Sequence, residues 1–305
     1  MKVAVLGLGD IARKAYLPVL TAVPGVDLHL ATRDPDILRS VGEAYRIGKR
    51  FDDIDALIGA GVDAAFVHVA TEAHPRIVER LLRAGIHVYV DKPLADSFEE
   101  AARLTELADT HRRSLMVGFN RRYAPAYAAL RDRPREIVLM EKNRHDLPAP
   151  PRRVVFDDFI HVVDTIRFLA GGAIERIEVN TRVVEGALHH VLLSLSGAGF
   201  TAIGMMARNS GSNEEFVEVI GGGEKTRVDN VREVTEHSGG QRRSSPPSDW
   251  TPVTAARGFD RICRVFLAAV ASGERLDPRD ALETHRLCEA ITEAAELGRD
   301  GAIAL

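Results

Sequence analysis

Apolar positions in the first 120 residues follow two alternating patterns. Short runs at 2–6, 27–31, 63–69, 86–90 and 114–119 are apolar or β-branched and predict strands buried on both faces. Between them, roughly over 11–22, 36–46, 53–60, 74–84 and 97–112, apolar residues recur at helical spacing. Pro24-Gly25 and Ala84-Gly85 punctuate the alternation. Asp96-Ser97 before Phe98-Glu99-Glu100 predicts a helix start, with acids in the first turn. Strand–helix alternation of this kind predicts an α/β fold with a parallel sheet covered on both faces.

The rhythm changes near residue 120. A helix near 122–132 leads to a strand near 136–143, a Pro-rich loop over 147–151 and a helix from about 158 to 170. Strands are then expected at 174–185, 188–197, 199–208, 214–221 and 225–235, separated by Gly-rich turns. Short turns between successive strands imply an antiparallel sheet. The polar stretch 237–248 reads as a mobile loop, and helices over about 255–272 and 278–298 follow. The expectation is an α/β domain over 1–120 and an α+β domain over 121–305 with a mainly antiparallel open sheet.

Composition narrows the function. Hydrophobic residues make up 45% and charged residues 28% of 305, enough chain for two ordinary cores. Forty basic against forty-four acidic side chains leave no positive excess for nucleic acid or an anionic membrane. Two cysteines are too few for a disulfide framework, and eleven dispersed histidines give no metal site. The start of the chain breaks into glycines and charges too soon for a signal core, so a cytoplasmic enzyme is the expectation.

Three segments carry candidate chemistry. Gly7-Leu8-Gly9-Asp10-Ile11-Ala12 follows the first strand and opens the first helix. That is the setting in which a GxGxxG/A turn cradles a dinucleotide pyrophosphate, so 1–120 reads as a Rossmann domain. The second strand ends Leu30-Ala31-Thr32-Arg33-Asp34, where an acid would bind the adenosine ribose. Thr32 or Arg33, depending on register, suits a 2′-phosphate and favours NADP(H) over NAD(H). The other reading leaves Arg33 solvated and gives the ribose to Asp34. Lys92, in Val90-Asp91-Lys92-Pro93, ends a buried strand at the edge where ligands bind, either solvated or aimed at cofactor and substrate. Pro93 could be cis. Asp157, His161 and Asp164 are spaced i, i+4, i+7, one polar stripe if the segment is an α-helix. A His beside carboxylates in apolar surroundings suits acid–base work; a helix cap plus one buried His is the plainer account.

Together these segments resemble the Gfo/Idh/MocA oxidoreductase family, and their wording is most similar to its MviM-like branch. Asp91-Lys92-Pro93 resembles the family's Glu-Lys-Pro motif, Asp157-x-x-x-His161-x-x-Asp164 its acid–base motif, and Val117–Pro125 its domain junction. The resemblance implies hydride transfer between NAD(P) and a secondary alcohol or ketone of a sugar, cyclitol or similar small polar substrate. It implies Lys92 and His161 as catalytic, with Asp157 orienting His161, and Asp164, Lys92, Arg121 and Tyr123 at the substrate. Gly7, Gly9, Asp10, Ile11, Thr32, Arg33, Thr71, His74 and Lys92 would bind the cofactor. A homodimer or homotetramer formed through the second-domain sheet is implied too, with His189-His190 read as sheet or interface residues. Departures are Asp91 for Glu, Phe159 where Gly is usual, and a short loop over 144–156. Glu214, Glu215 and Arg208 read as ordinary solvated charges. The alternatives are an NAD-dependent glycosidase of this fold and a non-catalytic NAD(P)-binding sensor.

Overall fold

The computed structural model describes residues 1–303. Internal contacts divide the chain into two units. One comprises Met1–Gly118 and Phe259–Leu282; the other runs over Phe119–Gly258 and resumes at Glu283.

The first unit holds a six-stranded sheet of β1 (Lys2–Leu6), β2 (Asp27–Ala31), β3 (Lys49–Phe51), β4 (Ala64–Val67), β5 (His87–Val90) and β6 (Leu115–Val117). Its order is β3-β2-β1-β4-β5-β6, and every pairing is parallel. Reversal of the strand order beside β1 creates the crevice in which such sheets bind ligands. Val3–Val5, Ala64–Val67 and Val88–Val90 are fully buried, which explains their unbroken apolar wording. β3, Lys-Arg-Phe, was not expected from the pattern; it is an edge strand with Lys49 exposed and Arg50 and Phe51 half-buried. Helix Phe259–Ser272 belongs to this unit rather than to the second half, where the sequence reading put it. Its Phe266 ring packs edge-on against Phe66 at 5.2 Å.

The second unit is built on nine strands: β7 (Ile137–Asn143), β8 (Arg176–Val184), β9 (Ala187–Gly197), β10 (Phe200–Ala207), β11 (Glu214–Gly221), β12 (Glu224–Asp229), β13 (Glu233–Ser238), β14 (Gln241–Ser245) and β15 (Gly301–Ala302). The order is β14-β13-β12-β11-β7-β10-β9-β8-β15, antiparallel throughout except between β7 and β10. The single strand expected over 225–235 is two, broken where Asn230 and Val231 turn with positive φ. The expected mobile loop over 237–248 is instead largely a hairpin, β13 to β14, whose Gly239-Gly240 turn supplies two positive φ angles. Helix Ile160–Leu169 lies on one face of the sheet. Its approach is set by Gly204, where an added Cβ would stand 2.5 Å from Val162 Cγ1 and 3.1 Å from Ile166 Cδ1. No helix among the described residues is long and apolar enough to cross a membrane.

Gly204→Ala therefore forces this helix off the sheet. A loss of about 1–3 kcal/mol in urea unfolding is expected, as for overpacked cores; unchanged stability would show that the helix can shift freely.

Candidate active site

The glycine turn has the geometry that a pyrophosphate needs. Gly7 adopts φ +84°, and a Cβ there would stand 2.6 Å from the His68 carbonyl oxygen. Only glycine fits both the angle and the approach. Its N–H donates to Ala31 O at 2.9 Å, binding the turn to β2. A Cβ at Gly9 would meet nothing within 4 Å, so the turn is open on the side facing away from the sheet. The first helical hydrogen bond, Arg13 N–H to Gly9 O, follows at once, and a π-helical turn, Ala12–Tyr16, runs into Leu17–Leu20. Asp10 is exposed and paired with Lys14 at 2.6 Å, and Ile11 is 42% exposed. Thr32 is half-buried and Arg33 exposed. Asp34 Oδ1 accepts the N–H groups of Asp36 and Ile37, both at 3.0 Å, capping helix Pro35–Ala44. The open Gly9 at a helix N-terminus fits a dinucleotide.

At the ends of β4 and β5 a buried polar network sets the backbone. Asp91 accepts from Tyr16 Oη at 2.6 Å and from His68 Nδ1 at 2.8 Å; Tyr89 Oη lies 2.9 Å from Tyr16 Oη. Burial works against the Asp91 carboxylate, but the His68 ring and Tyr16 hydroxyl outweigh it and hold it below the usual carboxylate range. Burial, reinforced by Asp91, pushes the Tyr16 phenol well above its ordinary value. Lys92 follows directly, joined to Pro93 by a cis peptide bond. Thr71 opens the 3₁₀ turn Thr71–Ala73. His74 is buried, with Nδ1 2.8 Å from Pro93 O and Nε2 3.1 Å from Val69 O. It ties the 69–74 loop to the Lys92–Pro93 turn, and burial lowers its basicity.

In the second unit a π-helical turn, Val155–Phe159, precedes helix Ile160–Leu169, so Asp157, His161 and Asp164 do not lie on one continuous α-helix. The Asp157 side chain is 50% exposed, with Arg153 Nε 3.8 Å away. His161 is half-buried, and its carbonyl accepts the Thr165 hydroxyl at 2.7 Å. Asp164 is buried, gripped by Arg122 at 2.6 and 2.9 Å and by the Thr284 hydroxyl at 3.0 Å. Phe159, the departure from Gly, is a fully buried core ring.

The residue beside Asp157 caps no helix and instead centres an ion cluster. Asp158 accepts from Arg144 (2.6 and 2.8 Å), Arg208 (2.7 Å) and Lys142 (2.9 Å). Next to it, Glu215 takes a two-pronged Arg121 (2.6 and 2.7 Å) and the Tyr127 hydroxyl (3.2 Å), with Lys142 at 3.7 Å. Glu215 and Arg208 are thus buried partners, not solvated charges; Glu214 alone of the three is surface-exposed. Burial raises the Glu215 carboxyl, but Arg121 pulls it down to about 2. Asp158 is held well below the carboxylate range, chiefly by Arg144 and Lys142 against burial. Burial and the neighbouring Arg121 bring the Lys142 ammonium down to about 8 despite both acids. A signal for this cluster was present: Val138, Met140 and Lys142 share one strand face, and a cation continuing a buried apolar row needs a buried acid.

Comparison with known proteins places the molecule. Residues 1–119 match the family model described as an oxidoreductase family with an NAD-binding Rossmann fold, and residues 125–239 match a YceM-like C-terminal domain. The chain is 35% identical over 301 residues to YceM of Salmonella typhimurium, covering 96% of each. It belongs to the Gfo/Idh/MocA oxidoreductase family. A dehydrogenase named MviM from Clostridium difficile superposes with a TM-score of 0.92 at 30% identity, over 97% of this chain and 99% of that one. An inositol 2-dehydrogenase of Rhizobium meliloti is 24% identical over 330 residues, spanning 100% of this chain and 99% of that protein.

Membership in an NAD-binding oxidoreductase family gives the glycine turn its ligand class. It also sharpens the contrast among the candidate residues. Gly7, Gly9, Thr32, Arg33, Thr71, His74 and Lys92 lie at the carboxyl-end loops of the first sheet, whereas Arg121 and Asp164 are engaged in buried ion pairs of the second unit. Tyr123 ends the 3₁₀ turn Asn120–Tyr123 and is half-buried.

Asp158→Asn leaves three cations short of a partner, so a loss of about 3–5 kcal/mol in urea unfolding is expected. Asp157→Asn, at the exposed neighbour, should stay within about 0.5 kcal/mol. Equal losses would mean that the two acids are not differently buried.

Proposed function

We propose that the protein transfers a hydride between a nicotinamide dinucleotide and a secondary alcohol or ketone of a sugar, cyclitol or similar small polar molecule. The observation that carries the reading is the Gly7–Gly9 turn, closed against His68 on one side and open on the other at the start of a helix. The inositol 2-dehydrogenase relative supports a polyol substrate.

The pyrophosphate would rest on the backbone at Gly9, Asp10 and Ile11, where the exposed N-terminal turn presents N–H groups. Thr32 and Arg33 would flank the adenosine ribose. Asp34 turns its Oδ1 to the helix cap, and the exposed guanidinium of Arg33 beside it favours a 2′-phosphate and so NADP(H). The bound nicotinamide supplies the hydride donor or acceptor. Lys92 would hydrogen-bond the substrate hydroxyl, its backbone fixed by the Asp91 network on one side and the His74 clamp on the other. His161 would take the hydroxyl proton in oxidation and return it in reduction. Asp157 would orient His161, and Tyr123 would contact the substrate. Arg121 and Asp164 would act at one remove, holding the segments that carry Tyr123 and His161. Thr71 would line the cofactor loop.

We place subunit pairing, as a homodimer or homotetramer, on the sheet face opposite helix Ile160–Leu169. There Leu139, Leu192, Ile203 and Met205 are neighbours in register and only half-buried.

His161→Ala should cut turnover by about 10²–10⁴-fold with dinucleotide affinity retained in calorimetry; unchanged turnover removes His161 from the reaction. Arg33→Ala should weaken NADPH binding more than NADH binding, and equal losses in a fluorescence titration would sink the NADP(H) preference.

A further inference from the structure

We propose that the substrate carries an anionic group, a carboxylate or a phosphate ester, bound by Arg144 and Arg208. The inference rests on the oxidoreductase reading above and adds a substrate class to it.

Charges in the polar cluster of the second unit do not balance. Arg121, Lys142, Arg144 and Arg208 share two carboxylates, Asp158 and Glu215. Glu215 is filled by Arg121 and the Tyr127 hydroxyl. Arg144 and Arg208 are left to a single acid, Asp158, which Lys142 also contacts while lying 3.7 Å from Glu215. Arg144 Nε and Arg208 Nη1 meet on the same oxygen, Asp158 Oδ2, at 2.6 and 2.7 Å, so the two guanidinium groups stand side by side. Lys142 takes Oδ1. Buried cations in excess of their acids are costly unless a further anion completes them.

Donor use points the same way. Arg144 donates through Nε and Nη2. Arg208 donates through Nε to Leu147 O at 2.8 Å and through Nη1. Among the described residues no protein oxygen accepts from Arg144 Nη1 or Arg208 Nη2. The Lys142 and Arg208 side chains are only 5% and 6% exposed, but Arg144 is 31% exposed and gives the cluster an opening to solvent. Two adjacent guanidinium forks, each with an N–H group left over, match the oxygens of a carboxylate or phosphate, through charge-assisted bonds of fixed geometry. A neutral polyol would leave the excess uncorrected.

The test is calorimetric titration of the full-length protein with glucose, glucuronate, glucose 6-phosphate and inorganic phosphate, each with and without NAD(P)+. One anionic sugar should bind at least tenfold more tightly than glucose; which one does so separates carboxylate from phosphate ester. R144Q and R208Q should each remove that advantage by tenfold or more while leaving glucose and dinucleotide affinity unchanged. Melting curves check folding, and if R208Q does not fold, the more exposed R144Q decides alone. Equal affinity for glucose and both anionic sugars overturns the proposal, as does an advantage that survives R144Q. Binding of inorganic phosphate with no preference among the sugars overturns it too, since the cluster then takes an adventitious ion only. Loss of the oxidoreductase reading would show separately, as absent dinucleotide binding in the wild-type protein.

Discussion

Asp158 is the constraint on which the polar interior of the second unit depends. One carboxylate holds the end of β7 through Lys142, the following segment through Arg144, and the chain just past β10 through Arg208. Glu215 on β11 extends the same network to Arg121 and Tyr127. Ion pairs of this kind add little net stability over apolar packing, because desolvating the charges offsets most of the attraction. What they give is position: Arg121, Arg144 and Arg208 are each held by charge-assisted hydrogen bonds of defined geometry. The helix that carries His161 begins next to this anchor, so its start is fixed by charge as well as by the close fit of Val162 and Ile166 over Gly204.

The first unit achieves the same end by other means. Its sheet is closed by apolar residues on both faces, and the turn after β1 is locked by a steric demand at Gly7 rather than by charge. Asp91, Tyr16, His68 and Tyr89 then fix the carboxyl ends of β4 and β5 from below. Helices in both units that bear candidate residues start or continue through a π-helical turn, Ala12–Tyr16 and Val155–Phe159. Such turns re-aim side chains by one residue, and they recur at functional sites.

Much of this was legible along the chain. β1 and β2 fall on the apolar runs at 2–6 and 27–31, because strands buried on both faces advertise themselves as unbroken apolar wording. The glycine turn was legible because its residues serve backbone geometry, which spacing encodes. β3 was not, because Lys49-Arg50-Phe51 takes its strand form from pairing with β2. β14 hid for a similar reason, since Gln241–Ser245 is wholly exposed and gains its form from β13. The Asp157–Asp158 doublet shows the remaining limit. Identical neighbours differ in role through a π-helical turn and through partners 14 and 50 residues away, and neither leaves a local pattern.

The return of residues 259–282 to the first unit has a bearing on synthesis. Neither unit is contiguous: the first lacks Phe266 until the helix over 259–272 has been made, and the second lacks Thr284, the hydroxyl partner of Asp164. A nascent chain stopped at residue 258 presents Phe66 and Tyr89 without the ring that covers them. Domain-by-domain completion during translation, the usual course for a two-part chain, is therefore closed to this one. Both cores must wait for the last helices to leave the ribosome.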